Sequence, residues 1–132
     1  MGTIKRFEDI KAWQKARILA NECYKISNKG EFDRDFGLKN QIRNSSGSAM
    51  DNIAEGFERD GKKEFVQFLS VAKGSAGEVR SQLYRVLDRN YIDQTKFEEL
   101  YNLCIEVSKM ISGFMDYLRN SDLKGTKYKE LT

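Results

Sequence analysis

The chain has no histidine and no proline, only two cysteines, and no apolar run approaching the length of a membrane span. Without histidine there is no Ser-His-Asp or Cys-His nucleophile and no imidazole general acid or base. The paired Glu-x-x-His ligands of di-iron bundles are excluded as well. Cys23 and Cys104 lie far apart with no CxxC, which argues against both a disulfide framework and a zinc site. Both fall on apolar helical positions and read as free core thiols. Neither metal nor cofactor is expected, and no catalytic residue is assigned. The opening "MGTIKRFEDIKAW" lacks the apolar stretch of a signal peptide, so the expected location is cytoplasmic. Lack of proline leaves long helices uninterrupted.

What remains is a charged, periodic sequence. Its 132 residues suit one domain; 33% are charged, 39% hydrophobic, and the net charge is a mild +3. Four segments carry apolar residues at steps of three and four, and none alternates like a strand. They cover about 7–27, 36–57, 62–89 and 95–119. The last is the clearest, with Phe97, Leu100, Cys104, Val107, Ile111, Phe114 and Leu118 in a bundle seam. Asp60 is placed to cap the third helix, and Asp93 or Thr95 the fourth. Short connections make neighbours antiparallel. The expected fold is all-α, an up-down-up-down antiparallel four-helix bundle over residues 1–120, with a flexible tail over 121–132.

One stretch resists the helix reading. "NSSGSAMDNIAEG", residues 44–56, is rich in poor helix formers. Folding the second and third helices into a hairpin near Asp60 sets Ser45 level with Ser75 and Gly56 with Glu64. The small middles, 45–49 and 72–77, would then face one another. Gly47, Gly74 and Gly77 together cost roughly 3 kcal/mol relative to alanine. Close packing between the two helices, or against another subunit, would offset that; a ligand lodged against exposed backbone is the rival. Arg43 and Glu78 are also nearly level, with Asn52, Glu55 and Arg59 within one to two turns. An ion pair and a satisfied helix end explain these, or else a polar site at the turn end of the hairpin.

The same residues carry a resemblance. "FEDIKAWQKARILANECYKIS" followed by "GLKNQIRNSSGSAMDNIAEGFERDGKKEFVQFLSVAKGSAGEVRSQL" resembles the four-helix-bundle proteins encoded by intervening sequences within bacterial 23S rRNA genes. It covers about residues 7–118. The resemblance implies a ring-like homo-oligomer, a pentamer, with no enzymatic activity and with rRNA or another nucleic acid as partner. By position the family pattern falls on Arg43, Asn52, Ile53, Ala54, Glu55, Gly56, Arg59, Glu64, Phe65, Phe68, Leu69, Gly74, Ser75 and Glu78. Its polar members, with Gly56, are Asn52, Glu55, Glu64, Ser75 and Glu78. The chain departs from the pattern at "NSSGSAMD", where Asn44 replaces a base and Asp51 adds an acid.

Candidate phosphate contacts are Lys39, Arg43, Arg59, Lys62, Lys63, Lys73 and Arg80, with Arg85 and Arg89 further along the third helix. Such contacts give salt-dependent binding of low sequence specificity. Tyr84 and Tyr91 are placed to stack on unpaired bases. The alternative is a structural or protein-interaction scaffold with no nucleic-acid contact, anchored by exposed aromatics such as Phe32, Tyr84 or Tyr101. The small and apolar surface on the second and third helices exceeds what a monomeric bundle needs, which points to self-association.

Overall fold

The computed structural model describes residues 3–121 and 128–129. Four helices dominate: α1 (Lys11–Ser27), α2 (Phe36–Glu58), α3 (Lys62–Asp88) and α4 (Gln94–Arg119). Each packs on the next, and α1 closes the bundle against α4. This is the antiparallel four-helix bundle read from the sequence. Two 3-10 turns, Phe7–Asp9 and Gly30–Arg34, lead into α1 and α2, so α1 starts later than its periodicity predicts. A two-residue strand β1 (Thr3–Ile4) pairs antiparallel with β2 (Tyr128–Lys129). Apart from Ser121 and that strand, the tail expected over 121–132 lies outside the described residues.

The seam of α4 is buried as its spacing requires: Phe97, Leu100, Cys104, Val107, Ile111, Phe114 and Leu118 all face the core. On α1 the stripe is Ala12, Ala16, Leu19, Cys23 and Ile26. Trp13 is only half-buried and meets Phe7 edge-on at 5.2 Å. Cys23 and Cys104 are free and buried. Burial pushes both thiols up to about 12, and the Cys104 sulfur adds to the effect at Cys23.

Helix ends are set locally. Asp35 caps α2 through the Leu38 amide, and Asp93 caps α4 through the Lys96 amide at 2.8 Å. Asp60 does not cap α3. It takes a left-handed φ of 63° just past the end of α2, and Gly61 stands at the start of α3 with no side-chain cap. Asn90, at φ 60°, ends α3 in the same manner. There the Tyr91 amide reaches back to the Val86 carbonyl and the Asn90 amide to that of Leu87, a Schellman closure.

The α2–α3 contact differs in register from the sequence reading. Ser48 meets Ser75, hydroxyl to hydroxyl at 2.9 Å, and Ser45 accepts from Gln82 Nε2 at 3.0 Å. The helices are thus offset by about one turn from a pairing of Ser45 with Ser75. Gly56 explains the offset. A Cβ there would lie 2.7 Å from Phe68 Cβ and 2.9 Å from Phe65 Cδ1, so only glycine lets α3 lay its aromatic pair across α2. Serines and alanines of the two middles do meet in the interior: Ser45, Ser75, Ala49, Ala72 and Ala76 are buried. Gly47, Gly74 and Gly77 do not. A Cβ at any of the three would meet nothing within 4 Å, because they lie off the buried stripes. Close packing within the chain therefore does not offset the helix cost of these three glycines.

Candidate functional site

The basic residues singled out above do not form one stripe. Lys39 is held by Asp33, with its ammonium 5.9 Å from the Phe36 ring centre. Arg59 pairs with Glu55 at 2.8 Å and covers the Phe68 ring. Lys62 donates to the Ser121 carbonyl. Lys63 and Lys73 are exposed. Arg80 lies over Tyr101 at 5.7 Å, toward α4. Arg85 donates to Gln41 at 2.7 Å, and Arg89 to Asp35.

Arg43 is not paired with Glu78. It faces α1 instead: its Nε donates to Ser27 Oγ at 2.8 Å and its guanidinium lies 4.1 Å from the Tyr24 ring centre. The reason is geometric, since Arg43 projects from the side of α2 that meets α1 rather than α3. Its Nη2 is buried and has no hydrogen-bond partner among the described residues. Around Arg43 a distinct corner is built from α1, the 3-10 turn and the start of α2. The Asp33 carboxyl lies below the usual carboxylate range, first through the hydrogen bond from Lys39, then through the charges of Lys39, Arg43 and Arg34. Only Lys39 pairs with that carboxylate; Arg43 and Arg34 act on it through their charges. Two exposed rings flank them, Tyr24 at 54% and Phe36 at 68% of full exposure.

Tyr24, Phe36 and Arg34 escaped the sequence reading. The available signal was aromatics set off the apolar stripe near basic residues, Phe36 with Lys39 at helical spacing and Tyr24 next to Lys25 in the chain. Conversely, two proposed aromatics are engaged elsewhere. Phe32 is buried, 1% exposed, and stacks on Tyr91 at 4.9 Å. The Tyr91 hydroxyl donates to Asp35 at 2.9 Å. Neither is free to anchor a partner. Tyr84 remains half-exposed beside Phe97 and Tyr101.

The family-pattern polar residues disperse as well. Asn52 donates to the Ser48 carbonyl and hydroxyl, and Ser75 joins the same chain. The Glu64 carboxylate folds over Gly61, where a Cβ would sit 2.5 Å from its Oε1. Glu78 lines a separate groove of about 450 Å³ on the outer side of the helix pair, between Gln41, Asn44 and Ser45 of α2 and Ser81, Gln82 and Arg85 of α3. Among the described residues no group of three or more Cys, Asp or Glu side chains could hold a metal ion. No helix among them is long and apolar enough to cross a membrane.

Comparison with known proteins bears on this geometry. A comparison with curated proteins finds no match. Among solved structures, the chain is similar to a protein of unknown function from the S23 ribosomal protein family of Bacteroides thetaiotaomicron. The TM-score is 0.71 at 22% identity, over 79% of this chain and 97% of that one; at that identity the likeness speaks for the fold. The family model described as 23S rRNA-intervening sequence protein matches residues 8–113, nearly the whole bundle. The chain belongs to the 23S rRNA-intervening sequence protein family.

Proposed function

We propose that this bundle assembles with copies of itself, as a pentameric ring in the bacterial cytoplasm, and binds rRNA or another structured nucleic acid without catalysing a reaction. The observation that carries the nucleic-acid reading is the corner around Arg43. Lys39 pairs with Asp33 there, Arg34 and Arg43 lie close enough for their charges to act on the same carboxylate, and the Arg43 guanidinium rests on an exposed tyrosine. Phosphate oxygens would meet the positive charges of this corner, and Tyr24 and Phe36 offer faces for unpaired bases. The family's name, which refers to rRNA, agrees with this chemistry. A mobility-shift series with an RNA hairpin tests it. Arg43→Ala and Tyr24→Ala should each weaken binding, the stacking loss alone being worth about 1–3 kcal/mol. Equal binding by wild type and both variants would remove this corner from the interface.

Self-association is supported by the outer face of α2 and α3. Gly74 opens onto space there, three residues from Val71 at 53% exposure, while Gly47 and Gly77 open onto space on the sides of their helices that carry Arg43 and Arg80. Three interior helix glycines without a packing partner among the described residues are a cost of roughly 3 kcal/mol that a neighbouring subunit would offset. The same face favours a second reading, a scaffold that recruits other proteins. Light scattering separates monomer from ring: a ring gives a mass about five times the 15.3 kDa of one chain, and a monomer at micromolar concentration contradicts assembly.

A further inference from the structure

The groove on the outer side of α2 and α3 holds a polar inconsistency. Gln82 is 5% exposed, and its Nε2 donates to Ser45. Its Oε1 is buried with no hydrogen-bond partner among the described residues, yet Gln82 lines the groove. A buried acceptor left unpaired is costly. Glu78, one helical turn before it on the same face, is exposed and makes no ion pair or hydrogen bond among the described residues. Two unpaired acceptor side chains thus lie one helical turn apart along the groove, one exposed and one buried. Arg85 lies at the other end, its guanidinium engaged only by the neutral Gln41.

We infer that this groove binds a single guanine nucleotide, with Glu78 and Gln82 reading the base edge and Arg85 meeting the phosphate. The inference rests on the nucleic-acid reading above and adds a base-specific site to it. The ligand must present adjacent donors to Glu78 and Gln82 and an anion to Arg85. Seven residues of helix put about 10 Å between Glu78 and Arg85 along the axis. An α-amino acid carries its ammonium and carboxylate on one carbon, too close together to span that distance. A polyamine matches Glu78 but meets a like charge at Arg85. A purine nucleotide has the required reach from base edge to phosphate. Among the bases, guanine alone has two neighbouring donors on its Watson–Crick edge, N1–H and the 2-amino group. Adenine would set its N1 lone pair against the carboxylate, and uracil brings one donor flanked by two carbonyls. Wrong bases leave the buried Gln82 oxygen unpaired, which is how a hydrogen-bonding site discriminates. No ring lines the groove, so recognition comes from edge contacts, and the free nucleotide binds weakly.

Titration of the isotopically labelled full chain with GMP and with AMP, each to millimolar concentration, tests this by NMR. Mobility shifts with two hairpins that differ only in a loop G or A accompany it. GMP should perturb amides near Gly74, Glu78 and Arg85 with an affinity about tenfold or more above that of AMP, the worth of a bidentate base contact. Glu78→Gln, an exposed change, and Gln82→Leu should erase that preference; should Gln82→Leu fail to fold, Glu78→Gln still decides. Preference for the G loop without response to free GMP also supports the site and assigns its ligand to unpaired guanine within RNA. Equal responses to GMP and AMP, or none to either together with equal retardation of both hairpins, overturn it while leaving general RNA binding intact. Hairpins that do not shift at all remove the nucleic-acid reading, and the GMP titration then judges the groove alone.

Discussion

Replacing Gly56 with alanine measures how tightly α2 and α3 are held together. In an open helix this change stabilises by about 1 kcal/mol, because alanine is the better helix former. At Gly56 the added methyl would sit 2.7 Å from Phe68 Cβ, 2.9 Å from Phe65 Cδ1 and 3.4 Å from the Phe65 carbonyl. Phe65 could rotate, but Phe68 Cβ and the carbonyl move only if α3 moves. Forcing a methyl into a full core costs about 1–3 kcal/mol, and contacts rooted in backbone put this case at the upper end. The net expectation is a loss of about 1–2 kcal/mol, or a Tm lower by about 4–8 °C for a chain of this size. Gly47→Ala is the internal control. Its methyl meets nothing within 4 Å, so in a monomeric sample it should gain up to about 1 kcal/mol. Urea denaturation followed by circular dichroism compares the two at one protein concentration. A Gly56→Ala protein as stable as wild type would refute the close approach of the helices and the register drawn from it.

Other outcomes follow from the same structure. Cys23 and Cys104, both raised to about 12 by burial, should resist a thiol reagent at about pH 8 and react only as the bundle opens; rapid stoichiometric labelling of the native protein would contradict this. The Asp35 carboxyl is lowered, first by the hydrogen bond from Tyr91 and then by that from Arg89. Its contribution to stability is therefore present above the unfolded value of about 3.9 and is lost as pH falls through the lower folded value. Tyr91 is raised, first by the same bond, so its contribution is present below about pH 10 and lost as pH rises past the folded value. Tyr91→Phe should flatten both limbs in thermal melts taken across pH, and an unchanged profile would show that the bond contributes nothing. Asp93→Ala removes the α4 cap and should cost about 1 kcal/mol in a denaturant melt; no loss would mean that the free Lys96 amide is equally well served by water.

How far the sequence reached depends on the range of each interaction. The α4 seam was legible because it depends on spacing within one helix, and so was the cap to within two residues, Asp93 or Thr95, of which the structure uses Asp93. Asp60 was misread because the same residue type can cap a helix or end one, and the choice lies in its backbone φ. The α2–α3 register was legible only roughly. A slide of one turn keeps every apolar residue inside and still exchanges Ser45 for Ser48 as the partner of Ser75. Arg43 was paired with the wrong neighbour because its direction depends on which side of α2 each adjoining helix takes, and periodicity does not carry that. Tyr24 and Phe36 stood outside a reading built on buried stripes, since they lie off them. Gln82 gave no sign in the sequence: a glutamine among polar residues becomes informative only when its carbonyl is found buried and unpartnered.

RNA binding as a function of salt tests the central claim most directly. The Arg43 corner predicts binding of a structured RNA at about 50 mM salt, weakening steeply as salt rises because each phosphate contact releases counterions. Removing Arg43 should reduce the slope of log K against log salt by about one contact. Absence of binding at that salt, or binding whose salt dependence ignores the loss of Arg43, would contradict it.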